Sequence, residues 1–277
     1  MAKVLLVDTN FSSAPIYSVL QDLGHDVHVV GSNPIDALAK SANNFWNIDY
    51  SDTTALYDLI ERENFDYLVP GCTDRSYKSC AIVSQGRFPG IESPDIEHGM
   101  HNKEKFRAIA EELNIPIPES QNPNSKNLDY PVIIKPVDSF SGRGITVIKN
   151  RNKKLFDSAI ELARKNSATK EYLLEKFVSG ELYSHSAFLK NKRAIKNFFV
   201  KEDSTVNSFV VDTSRVIFSP PPEMQRQIIN AVEKLARYLR LKDGLIHSQF
   251  IWDGCNIYLI DRNRRIAGDL YLSLIHI

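Results

Sequence analysis

Residues 132–148 read Val132-Ile133-Ile134-Lys135-Pro136-Val137-Asp138-Ser139-Phe140-Ser141-Gly142-Arg143-Gly144-Ile145-Thr146-Val147-Ile148. Two short apolar runs flank a loop of serine and glycine, a pattern typical of two strands joined by a flexible connection. The first run leads into Lys135, and the loop covers 139–144. We therefore predict a pair of strands that presents a lysine beside a glycine-containing loop.

This lysine and this loop suit the binding of a polyphosphate. The ammonium group supplies a point charge, and glycine lets backbone N–H groups approach phosphate oxygen atoms. No Gly-Lys-Ser or Gly-Lys-Thr follows, so the loop is not a P-loop. Because short glycine motifs are common, a hairpin with a soluble loop and no ligand is the alternative interpretation.

The residues that follow complete a small α+β unit. A helical pattern covers 156–165, and an apolar strand covers 172–178 before Ser179-Gly180-Glu181. The backbone of such a strand end can hydrogen-bond an adenine, and Glu181 can hydrogen-bond a ribose. A solvated loop position for Glu181 is the alternative.

Near the C-terminal end, two apolar runs at 247–252 and 256–261 flank Asp253-Gly254, which predicts a hairpin. The second run continues into Asp261-Arg262-Asn263-Arg264-Arg265. Positions 261, 263 and 265 share one face of a strand, and Gln249 on the partner strand can face the same site. A carboxylate and amide oxygen atoms suit Mg²⁺, and a guanidinium suits phosphate. The alternative is a charged strand end in solvent.

The N-terminal part predicts a doubly wound α/β unit over the first 95 residues. Strands at 4–7, 26–31 and 67–70 alternate with helices at about 13–23 and 53–63. The first strand lacks a following GxGxxG, so the dinucleotide fingerprint is absent. A further helix at about 103–113 begins at Lys103, which by itself reads as an exposed helix lysine.

Composition narrows the function classes. The chain has 277 residues, with 34 Lys plus Arg and 34 Asp plus Glu, so no global field favours nucleic acid or a membrane surface. No apolar run approaches transmembrane length. The three cysteines have no metal-binding spacing, and free thiols in a reducing compartment are the simple interpretation. We expect a cytoplasmic protein.

Taken together in this order, the segments around Lys103, Lys135, Glu175 and Asp261 resemble the ATP-grasp superfamily. The resemblance is strongest to the carbamoyl-phosphate-synthetase-like and D-alanine-ligase-like carboxylate–amine ligases. It implies an α/β fold with a Rossmann-like preATP-grasp domain over 1–95 and an ATP-grasp domain over 96–277, with a small α+β lid at about 115–177. Many relatives continue beyond their metal segment, so final substrate-contacting elements are expected outside these 277 residues.

The resemblance also implies roles for individual residues. Lys103 and Lys135 would hold phosphates, and Lys135 would act in catalysis together with Arg265, which would stabilise the acyl phosphate. The metal, Mg²⁺ or Mn²⁺, would be held by Gln249, Asp261 and Asn263. The residues implied to contact ATP beyond the two lysines are Ser139, Ser141, Gly142, Arg143, Gly144, Glu175, Lys176, Val178 and Glu181.

The implied function is an ATP-dependent carboxylate–amine ligase that forms an amide-like bond through an acyl phosphate and releases ADP and phosphate. Its partners would be a small-molecule carboxylate and an amine, not nucleic acid or a membrane, and a homodimer is left open. Asp261 stands where glutamate is usual in the family, and Arg264 stands where proline is usual. The alternatives are carboxylation, a kinase reaction, or nucleotide binding without catalysis.

Overall fold

The structure is a computed structural model that describes residues 1–125, 127–139 and 142–268. Three β-sheets follow one another along the chain. The first sheet is parallel and the other two are antiparallel, which confirms the predicted α/β fold class. None of the helices in these ranges has the length and apolar character that a bilayer crossing requires. The domain boundary at residue 95 and the lid limits at 115 and 177 stay predictions.

The N-terminal sheet has the strand order β3-β2-β1-β4. Its strands are β1 Lys3–Val7, β2 Asp26–Gly31, β3 Asn44–Asn47 and β4 Tyr67–Pro70. Its helices are α1 Ala14–Asp22, α2 Ala37–Ser41, α3 Thr53–Glu63 and α4 Asp74–Ser84. Asp52 accepts hydrogen bonds from two backbone N–H groups and so fixes the start of α3.

Helix α4 was not predicted, because its buried residues mix serines with Tyr77, Cys80, Ala81 and Val83, which weakens the apolar periodicity that indicates a helix. Ser76, Ser79 and Ser84 are buried, and Ser76 Oγ donates a hydrogen bond to the Val7 carbonyl at the end of β1. Thr73 starts the helix by accepting a hydrogen bond from Ser76 N–H.

Two helices link the parallel sheet to the rest of the chain, namely α5 Pro94–His101 and α6 Lys103–Glu112. Asn102 separates them, and its side chain accepts a hydrogen bond from Lys105 N–H at 2.9 Å. Because this cap fixes the start of α6, Lys103 lies at the first position of the helix.

The middle sheet has the order β6-β5-β7 and is covered by one helix. Its elements are β5 Val132–Pro136, β6 Thr146–Ile148, α7 Lys153–Lys165 and β7 Tyr172–Lys176. Val132, Ile134 and Leu174 form its small core with two alanines of α7. The loop at 139–144 therefore connects β5 to β6, as predicted.

The last sheet has the order β10-β9-β8-β11-β12. Its strands are β8 Glu181–Lys190, β9 Arg193–Asp203, β10 Thr213–Val216, β11 Gly244–Trp252 and β12 Ile257–Asn263. Helix α8, Pro222–Tyr238, packs its apolar side in the same core as Ile246, Phe250 and Leu259. Gln249 is next to Phe250 on β11 and therefore lies on the opposite face. Asp261 pairs with Gln249 on that face because a register irregularity between Gln249 and Phe250 leaves one extra residue in β12 after Leu259.

Candidate active site

Lys135 lies at the centre of a buried group of charges. Its Nζ atom is 2.5 Å from Glu175 Oε2, and Arg107 Nε is 2.7 Å from Glu175 Oε1. All three side chains are buried. Burial lowers the pKa of Lys135 to about 8, although the Glu175 carboxylate opposes this change. Burial raises the pKa of Glu175, but the charges of Lys135 and Arg107 outweigh it and hold that pKa below its ordinary value.

Lys103 reaches the loop that follows β5. Its Nζ atom donates hydrogen bonds to the carbonyl oxygens of Val137 at 3.3 Å and Ser139 at 3.2 Å. Burial lowers the pKa of Lys103, and the attraction of Asp261 opposes that effect. The charge of Lys103 in turn contributes to the lowered pKa of Lys135. Lys103 thus lies within electrostatic reach of both Lys135 and the predicted metal carboxylate Asp261.

The loop at 139–144 depends on two glycines with left-handed backbone conformations. Gly142 has φ 68° and Gly144 has φ 76°. A Cβ atom on Gly142 would lie 2.7 Å from the Phe209 carbonyl oxygen, so the loop approaches the segment after β9 closely. Ser139 Oγ donates a hydrogen bond to the Arg143 carbonyl at 2.7 Å. Ser141, a predicted phosphate contact, lies outside the described residues.

The strand end after β7 leaves two backbone groups for a ligand. Lys176 N–H donates to the Glu119 carbonyl at 2.8 Å, and Phe177 N–H donates to the Pro131 carbonyl at 2.8 Å. In the described ranges, the Lys176 carbonyl and the Val178 N–H make no backbone hydrogen bond outside the sheet pairing. An acceptor followed two residues later by a donor matches the edge of an adenine.

Side chains at this strand end have other partners. The Lys176 ammonium pairs with Asp129, so the predicted adenine contact of this residue would use its backbone carbonyl. Glu175 points its carboxylate toward Lys135. Glu181 pairs with Lys201 and accepts a hydrogen bond from Tyr183 Oη at 2.8 Å. No hydrogen bond or ion pair joins Glu181 to another candidate residue in the described ranges.

The predicted metal residues lie together on strands β11 and β12. Gln249 pairs with Asp261 in the register of the two strands, and Asn263 Nδ2 is 3.4 Å from Asp261 Oδ2. Gln249 Nε2 donates to Glu202 Oε2 at 2.7 Å. Because its amide nitrogen is engaged there, the Oε1 atom of Gln249 is the group left to bind a cation.

Arg265 continues this face but contacts a different part of the chain. Its Nε atom donates to Asp74 Oδ1 at 2.5 Å, and its Nη1 atom donates to the Ile266 carbonyl at 3.0 Å. Burial lowers the pKa of Arg265, but the Asp74 carboxylate outweighs this and raises it overall. Asp74 lies in the stretch 71–75 that was expected from sequence to contact substrate, but its pairing with Arg265, 191 residues away, was not predicted.

The arginines between these positions point the other way and are buried. Arg262 lies over the Phe106 ring at 3.6 Å and donates to the Asn102 carbonyl at 3.3 Å. Arg264 Nη2 lies 3.0 Å from Glu92 Oε1. Arg107 was also missed, although its spacing of four residues from Lys103 on α6 places both on one helix face.

Comparison with known proteins identifies the family. Residues 128–272 match the ATP-grasp domain family, which is more than half of the chain. The chain therefore belongs to the ATP-grasp family, and the predicted resemblance is confirmed.

Two curated relatives match this chain over only part of their own length. The carbamoyl phosphate synthase large chain of Clostridium acetobutylicum is 24% identical over 206 residues, which is 70% of this chain and 18% of that protein. Formate-dependent phosphoribosylglycinamide formyltransferase of Histophilus somni is 27% identical over 159 residues, 54% of this chain and 40% of that protein. The match thus covers less than half of either relative.

Solved structures share the fold over the whole chain. Phosphoribosylglycinamide synthetase from Anaerococcus prevotii superimposes with a TM-score of 0.77 at 17% identity, covering 100% of this chain and 71% of that one. L-amino acid ligase from Bacillus licheniformis gives 0.77 at 17% identity, covering 99% and 69%. At such low identity these structures establish the fold.

Proposed function

We propose that the chain is an ATP-grasp carboxylate–amine ligase that forms an amide-like bond through an acyl phosphate and releases ADP and phosphate. The observation that carries the proposal is the convergence of Lys103, Lys135 and Asp261. The two lysines are positioned by different elements, α6 and β5, and the charge of Lys103 acts on both Lys135 and Asp261. A buried and a half-buried cation beside an oxygen-donor set suit a triphosphate and its metal.

The nucleotide would lie between the middle sheet and the last sheet. Lys103 and Lys135 would neutralise its α- and β-phosphates, and the loop at 139–144 would cover them. The Lys176 carbonyl and the Val178 N–H would bind adenine, and Glu181 would bind ribose. Lys135 has a pKa of about 8, so it is mostly charged at neutral pH. Bound phosphates raise this pKa further because an opposite charge favours the protonated form.

The donor set fits a magnesium ion better than a transition metal. It offers the Asp261 carboxylate together with the amide oxygens of Gln249 and Asn263, all of them hard oxygen donors. The described ranges contain no cluster of three or more His, Cys, Asp or Glu side chains suited to a metal. Mg²⁺ bound here would neutralise charge on the β- and γ-phosphates. One protein carboxylate with the phosphates is a common way to hold this ion.

The reaction follows from what the chain's own residues can do. A substrate carboxylate oxygen attacks the γ-phosphorus, and the bond to the β-phosphate oxygen breaks, giving an acyl phosphate and ADP. Arg265 would hold the oxyanion of the acyl phosphate. An amine then attacks the acyl carbon, and phosphate leaves with the bonding electron pair. Since this chemistry needs positioning and charge neutralisation, no protein nucleophile is required.

The experiment that tests this proposal uses hydroxylamine as the amine. The protein is incubated with ATP, Mg²⁺ and a panel of amino acids, dipeptides and sugar acids, and hydroxamate is measured. Hydroxamate, ADP and phosphate in equal amounts support the proposal. AMP with pyrophosphate would show adenylation and overturn the mechanism, while a phosphorylated alcohol or a carboxylated product would assign the alternative chemistries. ATP binding without any product would favour a non-catalytic role.

Cellular context is part of the same proposal. Cys72 and Cys80 are buried free thiols, and Cys255 is an exposed free thiol. Free thiols support a cytoplasmic location, where they stay reduced. The substrates would be a small carboxylate and an amine, and a homodimer is the assembly state to test by light scattering.

A further inference from the structure

A chain of alternating charges ends on Arg265. Arg265 Nε donates to Asp74 Oδ1 at 2.5 Å, and His101 Nε2 lies 3.4 Å from the same oxygen. His101 Nδ1 lies 3.0 Å from Glu97 Oε1. The order is therefore carboxylate, imidazole, carboxylate, guanidinium, and each neighbouring pair has opposite charge when the imidazole is protonated.

Secondary structure fixes the members of this chain in place. Asp74 is the first residue of α4, directly after the cap residue Thr73 and close to the end of β4. His101 is the last residue of α5, and Glu97 lies one turn before it on the same helix. A carboxylate at a helix start and a cation at a helix end are both favoured by the helix dipole. The geometry thus does not depend on long flexible loops.

Electrostatics keep His101 charged. Burial would lower the pKa of His101, but its contacts with Asp74 and Glu97 outweigh burial and raise that pKa to about 10. Burial raises the pKa of Asp74, but His101 and Arg265 outweigh it and hold that pKa well below the usual range. Nδ1 of His101 hydrogen-bonds the Glu97 carbonyl at 3.1 Å and lies beside the Glu97 carboxylate, whereas the contact of Nε2 with Asp74 at 3.4 Å is an ion pair without hydrogen-bond geometry.

The orientation of the guanidinium is set by two of its donors. Nε is engaged with Asp74 and Nη1 with the Ile266 carbonyl, so the plane of the group is fixed. Within residues 1–125, 127–139 and 142–268, Nη2 donates no hydrogen bond. A cation held in advance with one terminal nitrogen unengaged needs little reorganisation to receive an anionic oxygen.

We propose that Asp74 and His101 are positioning residues for Arg265, so that helices α4 and α5 help to build the active site of the last sheet. Asp74 holds the guanidinium directly, and His101 holds Asp74 in the rotamer that does so. The catalytic part of this inference rests on the proposed function, because Arg265 acts there on the acyl phosphate.

The test compares two pairs of variants in the 277-residue chain. Asp74→Asn is paired with Asp58→Asn, an exposed acid of α3, and His101→Gln is paired with His98→Gln, an exposed histidine of the same helix α5. We expect D74N and H101Q to lower kcat for hydroxamate formation, by on the order of 100-fold for D74N. The Kd and KM for ATP will stay within about twofold, since phosphate binding uses other residues. Asp74→Glu will restore part of kcat, whereas D58N and H98Q will behave as the wild type.

Two results would overturn the inference. Either D74N and H101Q turn over at the wild-type rate, or their activity falls only in proportion to lost ATP binding or lost folded protein. A second measurement, NMR of the His101 ring, does not require turnover. Wild-type His101 will remain an imidazolium above about pH 8, and D74N will bring its pKa down. If the wild type makes no hydroxamate but His101 responds to D74N in this way, the proposed function fails and the positioning contact stands. If His101 titrates as an ordinary histidine, the positioning contact fails whatever the activity.

Discussion

Replacing Lys135 with alanine will separate two roles that its ammonium group has in the structure. Lys135 is a predicted phosphate contact, and it also neutralises the fully buried Glu175 at 2.5 Å. We expect K135A to weaken ATP binding by about 1.5–3 kcal/mol, the usual worth of a hydrogen bond to a charged group. Since every 1.4 kcal/mol is a factor of ten, Kd will rise roughly 10- to 150-fold.

The same substitution will lower the free energy of unfolding, because Glu175 then keeps one cation instead of two. Removing one partner of a buried ion pair typically costs about 3–5 kcal/mol. Arg107 remains 2.7 Å from Glu175, so the loss will lie near the lower end, about 3 kcal/mol. After K135A, Arg107 and Glu175 remain as one neutral buried pair. Adding Glu175→Gln leaves the buried Arg107 cation without its carboxylate, so the double variant K135A/E175Q will lose further stability and will not regain ATP affinity.

Urea denaturation gives the stability of each variant, and isothermal titration calorimetry gives the affinity for ATP in the presence of Mg²⁺. The matched control is Lys153→Ala in α7, whose side chain is 89% exposed and whose ammonium pairs with Asp157. This control will change stability by less than about 0.5 kcal/mol. The reasoning is refuted if folded K135A binds ATP like the wild type. It is also refuted if K135A/E175Q recovers affinity together with stability, because the loss of binding was then a loss of fold.

Three further predictions follow from other contacts. ATP binding will weaken as pH rises through about 8, because the Lys135 ammonium loses its charge above its pKa. The Kd for ATP, measured between about pH 6.5 and 9.5, will show this decline in the wild type and not in K135A. Asp261→Asn will lower kcat in the hydroxamate assay more than it lowers ATP affinity, since the metal acts mainly at phosphoryl transfer. If D261N is as active as the wild type, Asp261 does not belong to the metal site. Arg264→Ala will cost about 3 kcal/mol in urea denaturation because it leaves the buried Glu92 carboxylate without its guanidinium, whereas Arg226→Ala, at an exposed pair, will cost about 0–1 kcal/mol.

The sequence alone predicted the position of a site residue where a local pattern determines that position. Alternation along a strand placed Asp261 and Asn263 on one face, and the Asp253-Gly254 turn predicted the hairpin of β11 and β12. The glycines at 142 and 144 predicted a loop, and both adopt positive φ. Each of these relations spans few residues, so periodicity and turn chemistry determine it. The pairing of Gln249 with Asp261 is different, because it depends on a register irregularity between Gln249 and Phe250 that the turn alone does not predict.

Contacts between distant elements were not predictable in this way. Arg107 and Glu175 are 68 residues apart, and Asp74 and Arg265 are 191 apart. Such pairs depend on how three sheets are placed relative to one another, which no local pattern encodes. Helix α4 was missed because buried serines interrupt its apolar pattern. Ser76 hydrogen-bonds the end of β1, while Cys80, Ala81 and Val83 pack in the apolar core.

The alternation of buried and site-facing side chains at the end of β12 makes this segment intolerant of changes in length. The odd positions 261 to 265 carry the side chains proposed to bind the metal and phosphate, while Arg262 and Arg264 anchor the segment to α6 and to the chain before α5. Randomising these positions one at a time will give two different outcomes. Substitutions at odd positions will give folded but inactive protein, whereas substitutions at even positions will destabilise the fold and lower the yield of soluble protein. Deleting a single residue would move the odd-position side chains to the buried side and the two arginines to the other side. A substitution elsewhere in the chain would not restore the original arrangement. Divergence within this segment is therefore expected to proceed by replacement at fixed length.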